Sequence, residues 1–331
     1  MNRILIIAEA GVNHNGSLDT AKALVMAAKE CGADVVKFQT INVDELVSKQ
    51  AVMADYQKNN LGTEESQKDM LKKLALKKED FYTLADYCRE TGIKFLSTPF
   101  DIESIHFLNP LQDMWKVPSG EITNYPYLVE IGKTGKEVIL STGMSTLKET
   151  ADALEVLNRH GAGKVTLLHC TTEYPAPLEA VNLRAMMTMQ NQLHCRIGYS
   201  DHTKGIEIPV AAAAMGARII EKHFTLNRNM PGPDHMASLE PEELKAMIMA
   251  VRNVESALGD GIKAPSECEK KNIDIARKSI VARRKIKKGE QFSSDNITAK
   301  RPGSGVNPMR WNEVIGRCAV RDFDEDELIQ I

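Results

Sequence analysis

Eight short apolar runs, each ending abruptly in polar residues, constrain the fold of this chain more than any other feature of the sequence. The runs are residues 4–11, 35–40, 94–99, 115–121, 138–143, 164–174, 196–202 and 218–225. Nearly continuous apolar strands of this kind are buried on both faces, as in parallel sheets. We therefore predict eight strands that pair in parallel.

Most of the predicted strands are separated by segments with helical features. Ser17, after the first run, is a good helix N-cap, and Gly32 is a good C-terminal stop. Thr146 and Glu149, after the fifth run, have the spacing of a capping box. Pro241, after the eighth run, stands at a helix start. Eight strands that alternate with helices predict an α/β fold, a (β/α)8 TIM barrel of roughly 250 residues.

An open, doubly wound sheet is the alternative architecture for such a pattern. That fold more usually has a glycine-rich phosphate turn, GxGxxG, after its first strand. The corresponding segment of this chain reads AEAGVNHNG, which does not fit. The barrel is therefore the favoured prediction.

The composition along the chain predicts three parts: a barrel domain at 1–259, a charged linker at 260–276 and a small β-rich module at 277–331. A module of that size has only a marginal core of its own, so we expect it to lean on a larger neighbour. Residues 42–78 are polar and amphipathic by turns. They predict an insertion at the barrel mouth that serves as a lid or a dimer contact.

The overall composition, 43% hydrophobic and 26% charged residues, is that of an ordinary globular protein. No apolar run is long enough to span a bilayer and the chain starts without a signal-peptide pattern, so we expect a cytoplasmic protein without membrane partners. The six cysteines form no CxxC pair, which favours reduced thiols. The basic cluster at 283–285 has no interleaved aromatic residues, so we expect no nucleic-acid partner.

Polar side chains at the C-terminal ends of barrel strands converge on one pocket. The candidates here are Glu9, Lys37, Gln39, Thr98, Lys116, Ser119, Glu121, Ser141, Tyr174, Ser200, His202, Glu221 and His223. Lys37 and Lys116 lie inside apolar runs, where a solvated face is not expected. Together with the hydroxyl groups, these lysines can bind a phosphate and a carboxylate.

His202 and His223 end two successive predicted strands. Neutral imidazoles held about one strand spacing apart, roughly 4.8 Å, can share one divalent metal ion. Oxygen-rich surroundings favour Mn²⁺ or Mg²⁺ over a structural zinc. A hydrogen-bonded structural histidine is the alternative for each position.

Acid–base chemistry has three candidates, Glu9, Glu121 and Asp234. A structural salt bridge is the alternative for each carboxylate, and for Glu221 the adjacent Lys222 offers a partner. In the C-terminal module, the loop arginine at position 301 (Arg301) is a candidate substrate clamp. The residues alone thus predict a metal-dependent barrel enzyme that acts on a phosphorylated acid.

Ten motifs in order along the chain resemble those of the sialic acid synthase family, which includes N-acetylneuraminate and N,N'-diacetyllegionaminate synthases. The motifs are AEAGVNHNGS (8–17), VKFQT (36–40), STPFD (97–101), KVPSGEITNYPYL (116–128), STGM (141–144), LHCTTEYPAP (168–177), GYSDHT (198–203), EKHFT (221–225), GPDH (232–235) and KRPG (300–303). The resemblance covers essentially the whole chain. It extends to the C-terminal module, which is similar to the antifreeze-like (SAF) domain of these enzymes.

The resemblance implies a condensation of phosphoenolpyruvate with an N-acetylated mannose-type sugar, with a divalent metal, Mn²⁺ by preference and Mg²⁺ or Co²⁺ as possibilities. It assigns phosphoenolpyruvate binding to Lys37, Thr98, Lys116, Ser119, Ser141 and Ser200, metal binding to His202 and His223, and sugar contacts to Glu9, Gln39, Tyr174, Asp234 and Arg301. It also implies a domain-swapped homodimer in which Arg301 acts on the partner's site. Glu121 is the candidate for activating the attacking water.

The segments CTTEYPAP and VPSGEITNYPYL are closer to the legionaminate type. They favour 2,4-diacetamido-2,4,6-trideoxymannose as the sugar, with N-acetylmannosamine as the alternative. Two other functions stay open at this point. One is a metal-dependent barrel aldolase or hydrolase, and the other is a non-catalytic carbohydrate-binding or ice-binding protein built around the C-terminal module.

Overall fold

A computed structural model of the chain describes residues 3–48 and 66–331. The chain divides into two compact units, residues 1–259 and residues 260–331. The insertion predicted at 42–78 is described only in part, because residues 49–65 lie outside the described residues.

The first unit is built around one sheet of eight strands in the order β3-β2-β1-β8-β7-β6-β5-β4, with parallel pairing throughout. The strands are β1 (Leu5–Gly11), β2 (Val35–Thr40), β3 (Lys94–Pro99), β4 (Met114–Val117), β5 (Glu137–Ser141), β6 (Val165–His169), β7 (Arg196–Asp201) and β8 (Ile219–His223). This order confirms the predicted barrel, and the open doubly wound alternative is wrong.

The barrel closes where β3 meets β4, the two strands at the ends of the sheet order. There the side chain of Gln112 accepts a hydrogen bond from Ser97 N at 2.8 Å and donates one to Ser97 O at 3.1 Å. A side-chain amide thus satisfies backbone groups at the edge of β3, which would otherwise be buried without partners.

The helices of the first unit are α1 (Leu18–Cys31), α2 (Val43–Leu46), α3 (Gln67–Leu74), α4 (Lys78–Thr91), α5 (Ile102–Leu108), α6 (Tyr125–Lys133), α7 (Leu147–Arg159), α8 (Arg184–Leu193), α9 (Glu207–Ala214) and α10 (Pro241–Ala257). The predicted caps are confirmed. Ser17 accepts a hydrogen bond from Thr20 N, Gly32 ends α1 with a φ of 89°, and Thr146 and Glu149 form a capping box. Within the described part of the chain, no helix is both long enough and apolar enough to cross a lipid bilayer.

An apolar layer fills the lower interior of the barrel. Its buried members are Ile7, Val35, Leu96, Ile139, Leu168 and Ile219, from six different strands. Because successive strand residues point to opposite faces, the intervening residues, such as Ile6 and Phe38, point outward and pack against the helices. The barrel therefore has a packed floor, and only its upper level can hold a ligand.

The second unit contains α11 (Glu267–Ala276), the antiparallel strands β9 (Ser279–Ala282) and β10 (Ile297–Lys300), and the short helix α12 (Trp311–Val314). It has an apolar core of its own that includes Ile280, Phe292 and Phe323. Helix α11 lies within the segment predicted as a linker. None of the residues of α11 is buried, so no apolar stripe in the sequence predicts this helix. The capping box formed by Ser266 and Glu269 was a signal that could have predicted it.

A buried ion pair joins the outward faces of β7 and β8. Lys222 donates to the carboxylate of Asp201 and to the carbonyl of Thr203, and neither charged side chain is exposed. Asp201 Oδ1 also accepts two hydrogen bonds, one from the backbone N of Thr203 at 3.1 Å and one from the Thr203 hydroxyl at 2.9 Å. The pair thus fixes the ends of the two strands that carry the predicted histidines.

We expect Lys222→Met to lower the free energy of unfolding by about 3–5 kcal/mol, because Asp201 would stay buried without its cation. The measurement is urea-induced unfolding. As a control, Lys148→Met breaks an exposed pair with Asp152 and should cost no more than about 1 kcal/mol. A similar small loss in both variants would contradict a structural role for the buried pair.

Candidate functional site

One cavity at the C-terminal ends of the strands collects most of the residues predicted from the sequence. Thirteen of them line it: Glu9, Lys37, Gln39, Thr98, Lys116, Ser119, Ser141, Tyr174, Ser200, His202, Glu221, His223 and Asp234. They come from all eight strands or from the loops that follow them. The polar ends of separate strands therefore do converge.

The period of the strands explains why these residues face the cavity. Residues two positions beyond the apolar floor lie on the same face of each strand, one level higher. For five strands they are Glu9, Lys37, Thr98, Ser141 and Glu221, above Ile7, Val35, Leu96, Ile139 and Ile219. The chemistry of the interior thus changes from apolar to charged within one step.

A network of buried charges forms this upper level. Lys37 Nζ lies 2.7 Å from Glu9 Oε2 and 3.7 Å from Glu221 Oε2, and it donates to Thr98 Oγ1 at 3.1 Å. Lys116 Nζ lies 3.4 Å from Glu221 Oε1. All four charged side chains are at most 5% exposed. Two lysines and two carboxylates therefore compensate one another away from water.

The two carboxylates of this network have opposite pKa shifts. Burial raises the pKa of Glu9 to about 7, although Lys37 opposes the shift. Burial also acts to raise the pKa of Glu221, but Lys116, Lys37 and a hydrogen bond from Ser200 outweigh it and bring the pKa to about 2. Glu221 is therefore the permanent counter-ion of the lysines, whereas Glu9 can exchange a proton near neutral pH.

Glu221 is a site residue that the sequence left ambiguous. Its expected alternative, a salt bridge to Lys222, is wrong, because Lys222 points outward and pairs with Asp201. Glu221 instead faces the cavity and accepts a hydrogen bond from Ser200 Oγ at 2.8 Å. The alternation of side chains along β8, which puts Glu221 on the same face as His223, was the signal that could have decided this.

The two histidines lie next to each other at the cavity wall, with ring centroids 5.6 Å apart. His202 Nδ1 is 2.6 Å from the carbonyl oxygen of Thr171, so Nδ1 carries the proton and Nε2 keeps its lone pair. Burial lowers the pKa of His202 to about 4 and that of His223 well below its ordinary value. Both rings are therefore neutral and able to act as metal ligands.

The site offers few protein ligands beyond this pair. His223 Nδ1 is buried and has no hydrogen-bond partner among the described residues. Tyr174 packs its ring on His202 at 4.1 Å between centroids and meets His223 edge-on at 5.6 Å. Among residues 3–48 and 66–331, no group of three or more His, Cys, Asp or Glu could hold a metal ion. A metal bound by the histidines would keep positions for oxygen atoms of substrate or water.

Hydroxyl groups line the cavity near Lys116. Ser119 Oγ accepts a hydrogen bond from Gly143 N at 2.9 Å, and a Cβ at Gly143 would come within 2.2 Å of Thr172 Oγ1. The hydroxyls of Ser141 and Thr172 are buried and have no partner among the described residues. Buried hydroxyls without partners in a lined cavity are suited to bind a polar ligand.

Two predicted site residues are not among the residues that line the cavity. Glu121 follows β4 in a short 3-10 helix, where its carboxylate accepts a hydrogen bond from Asn124 Nδ2 at 2.6 Å. Arg301 belongs to the second unit, where its Nε donates to the carbonyl of Ala276 at 3.1 Å. Glu121, which belongs to the first unit, therefore does not line the cavity.

Comparisons with known proteins agree on the kind of protein to which this site belongs. A model of the NeuB family matches residues 24–263, and a model of the SAF domain matches residues 277–331. The chain belongs to the NeuB family of sialic acid synthases. Members of this family are transferases that condense phosphoenolpyruvate with an acceptor.

Relatives of this NeuB-family chain span its full length. It is 52% identical to the N,N'-diacetyllegionaminic acid synthase of Campylobacter jejuni, with all of both chains covered. It is 46% identical to the enzyme of the same name from Legionella pneumophila, over 94% of this chain and 89% of the relative. It resembles the solved N-acetylneuraminic acid (sialic acid) synthetase of Leptospira borgpetersenii, with a TM-score of 0.74, 33% identity and coverage of 82% and 90%.

Asp234 is a second carboxyl group of this NeuB-family cavity whose burial changes its pKa. Burial raises the pKa of Asp234 from 3.8 to about 6. A raised folded-state pKa means that the ionised carboxylate destabilises the folded state. The cost is absent below the unfolded pKa and complete above the folded one.

We expect Asp234→Asn to become more stable relative to the unmodified protein as pH rises. The difference in unfolding free energy should grow by roughly 1–2 kcal/mol between pH 5 and pH 8, since one pKa unit corresponds to about 1.4 kcal/mol. Urea unfolding of both proteins at the two pH values measures it. A difference that does not change with pH would show that Asp234 keeps an ordinary pKa.

Proposed function

We propose that this protein condenses phosphoenolpyruvate with 2,4-diacetamido-2,4,6-trideoxymannose to give N,N'-diacetyllegionaminate and phosphate. The observation that carries the proposal is the single cavity in which a buried lysine pair lies beside a neutral histidine pair. The full-length identity of 52% to a protein named N,N'-diacetyllegionaminic acid synthase favours this sugar over N-acetylmannosamine. N-acetylmannosamine, which gives N-acetylneuraminate, stays the alternative substrate.

The lysine end of the cavity suits phosphoenolpyruvate. Lys37 and Lys116 supply two positive charges, while Thr98, Ser119, Ser141 and Ser200 supply hydroxyl groups. A phosphate and a carboxylate need charge from lysines and directional bonds from hydroxyls. Since the lysines are already held by buried carboxylates, little reorganisation is needed when the substrate arrives.

The histidine end suits a divalent metal ion. His202 and His223 are neutral. His223 Nδ1, which has no partner among the described residues, and His202 Nε2, which keeps its lone pair, fit a metal ligand role. We propose Mn²⁺, with Mg²⁺ or Co²⁺ as alternatives, because the remaining positions would be taken by oxygen atoms. When bound, this ion would act as a Lewis acid on the aldehyde of the open-chain sugar.

The residues of the chain then have separate tasks in the reaction. C3 of phosphoenolpyruvate forms a bond to the aldehyde carbon, water adds at C2, and the C–O bond to phosphate breaks. Lys37 and Lys116 orient the phosphate and the carboxylate of phosphoenolpyruvate while the charge on these substrate groups changes. Gln39, Tyr174 and Asp234 line the cavity and are proposed to contact the sugar.

Glu9 is the stronger of the two predicted acid–base residues. It lines the cavity and has a pKa of about 7, which lies near the optimum for proton transfer at neutral pH. Glu121 does not line the cavity, and burial raises its pKa. Glu121 is therefore proposed to act on the attacking water only if substrate binding moves it toward C2.

Phosphate release tests the proposed function. We expect release from phosphoenolpyruvate that requires both an N-acetylated mannose-type sugar and Mn²⁺, is fastest with the diacetamido sugar, and is lost with a chelator. His202→Ala should lower kcat about 100-fold or more, whereas His106→Ala at the surface should have no effect. Turnover of a sugar without phosphoenolpyruvate would instead support an aldolase or hydrolase.

We also propose a domain-swapped homodimer in a cytoplasmic protein. The six cysteines are all free, which fits a reducing compartment. The SAF domain at 277–331 is proposed as a module joined to the catalytic barrel of 1–259 through residues 260–276. In such a dimer Arg301 would reach the sugar bound by the partner subunit.

Mixed dimers test the domain swap. Dimers formed from Arg301→Ala and His202→Ala chains by refolding a mixture should recover about a quarter of native activity, because half are mixed and each has one intact site. If Arg301 served its own barrel, every site would carry a defect and no activity would return. Each variant refolded alone is the matched control.

A further inference from the structure

The mouth of the cavity has an apolar wall, which contrasts with its charged floor. The wall consists of Val12, Ile41, Leu46, Met70, Leu71 and Leu74, all of which line the cavity. Met70 and Leu71 lie four and three residues before Leu74, so the three side chains share one face of α3. Val12, Val43 and Val47 pack in the same cluster and hold this face in place.

The wall residues come after the ends of β1 and β2 or belong to α2 and α3, so the wall lies beyond the strand ends. Ile41 is four residues past Lys37, which is about 13 Å at the rise of an extended chain. Leu46 belongs to α2 and follows Ile41 after the end of β2. Counted along the strands, His223 is one same-face step above Glu221, whereas Ile41 is two such steps above Lys37. This count gives the order lysines, then histidines, then apolar wall.

This order fixes which part of a sugar meets the wall. If the proposed function holds, the aldehyde carbon, C1, lies at the histidines, because a metal ion held there would polarise the aldehyde for attack by C3 of phosphoenolpyruvate bound at the lysine floor. The carbon chain then extends toward the mouth. Its far end, C6, reaches the apolar side chains.

We infer that this wall selects sugars whose C6 is a methyl group over those whose C6 carries a hydroxyl. A methyl group gains from contact with apolar side chains, whereas a hydroxyl pressed against them loses its hydrogen bonds to water. The wall thus makes Ile41 and Met70 specificity-determining residues for a 6-deoxy sugar. This inference rests on the proposed function and names the part of the site that sets its substrate class.

The sharpest test uses two sugars that differ only at C6: N-acetylmannosamine and its 6-deoxy analogue. The native protein should have a higher kcat/KM for the 6-deoxy sugar, by about 10- to 100-fold. Met70→Gln, which keeps the size of the side chain and adds a polar end, should lower that preference about 10-fold. Ile41→Thr, at a half-buried position, should lower it in the same direction and protects the test against misfolding of the first variant.

Two controls separate a change in specificity from a general loss of structure. Met70→Leu keeps an apolar side chain and should keep the preference, as should Lys72→Gln on the exposed side of α3. The role of the wall would be overturned if Met70→Gln and Ile41→Thr turn over both sugars as fast as the native protein and keep its ratio of kcat/KM values within about two-fold. A native preference for the hydroxylated sugar would overturn it as well. If no phosphate is released with either of these sugars or with the diacetamido sugar, the proposed function itself would be overturned.

Discussion

The rest of the site depends on the mutual compensation of four buried charges, Lys37, Lys116, Glu9 and Glu221. Removing any one charge from water costs several kcal/mol, so each persists at this depth only because partners lie within 2.7 to 3.7 Å. The compensation is unequal. Glu221 stays ionised between both lysines, while Glu9 is raised toward neutrality. When Glu9 is protonated, two lysines face one carboxylate, so the cavity floor has a net positive charge that a substrate with two anionic groups can occupy without large rearrangement.

The charged level can exist only because of what lies around it. Below, the apolar layer that includes Ile7 and Val35 keeps water from reaching the lysines through the barrel. Outside, Lys222 and Asp201 form a second ion pair on the opposite faces of the same strands. Neighbouring residues of β7 and β8 thus alternate between the two networks. A shift of either strand by one residue would exchange them, which is why the register is strongly specified.

Much of this arrangement could be predicted from the sequence, because strands that end abruptly in polar residues mark the catalytic edge of a parallel barrel. Thirteen predicted residues line the cavity for that reason. Glu221 could not be assigned to the site with certainty, because the adjacent Lys222 is an obvious salt-bridge partner in the sequence. Only the alternation of side chains along β8 shows that the two residues lie on opposite faces. Helix α11 has no buried face and so no periodic signal. The position of Glu121 depends on a 3-10 turn after β4, whose direction no local pattern specifies.

The chemistry of the floor and the choice of sugar at the mouth are physically separable. A substitution at Lys37 or Glu221 leaves an uncompensated buried charge, so the floor tolerates little variation. The mouth is formed by α2 and α3, whose apolar side chains pack in a cluster apart from the barrel interior. A change there alters packing and contact with the sugar but leaves every buried charge paired. Differences in sugar preference can therefore arise at the mouth while the condensation at the floor stays the same, since function varies most readily in segments outside the rigid scaffold.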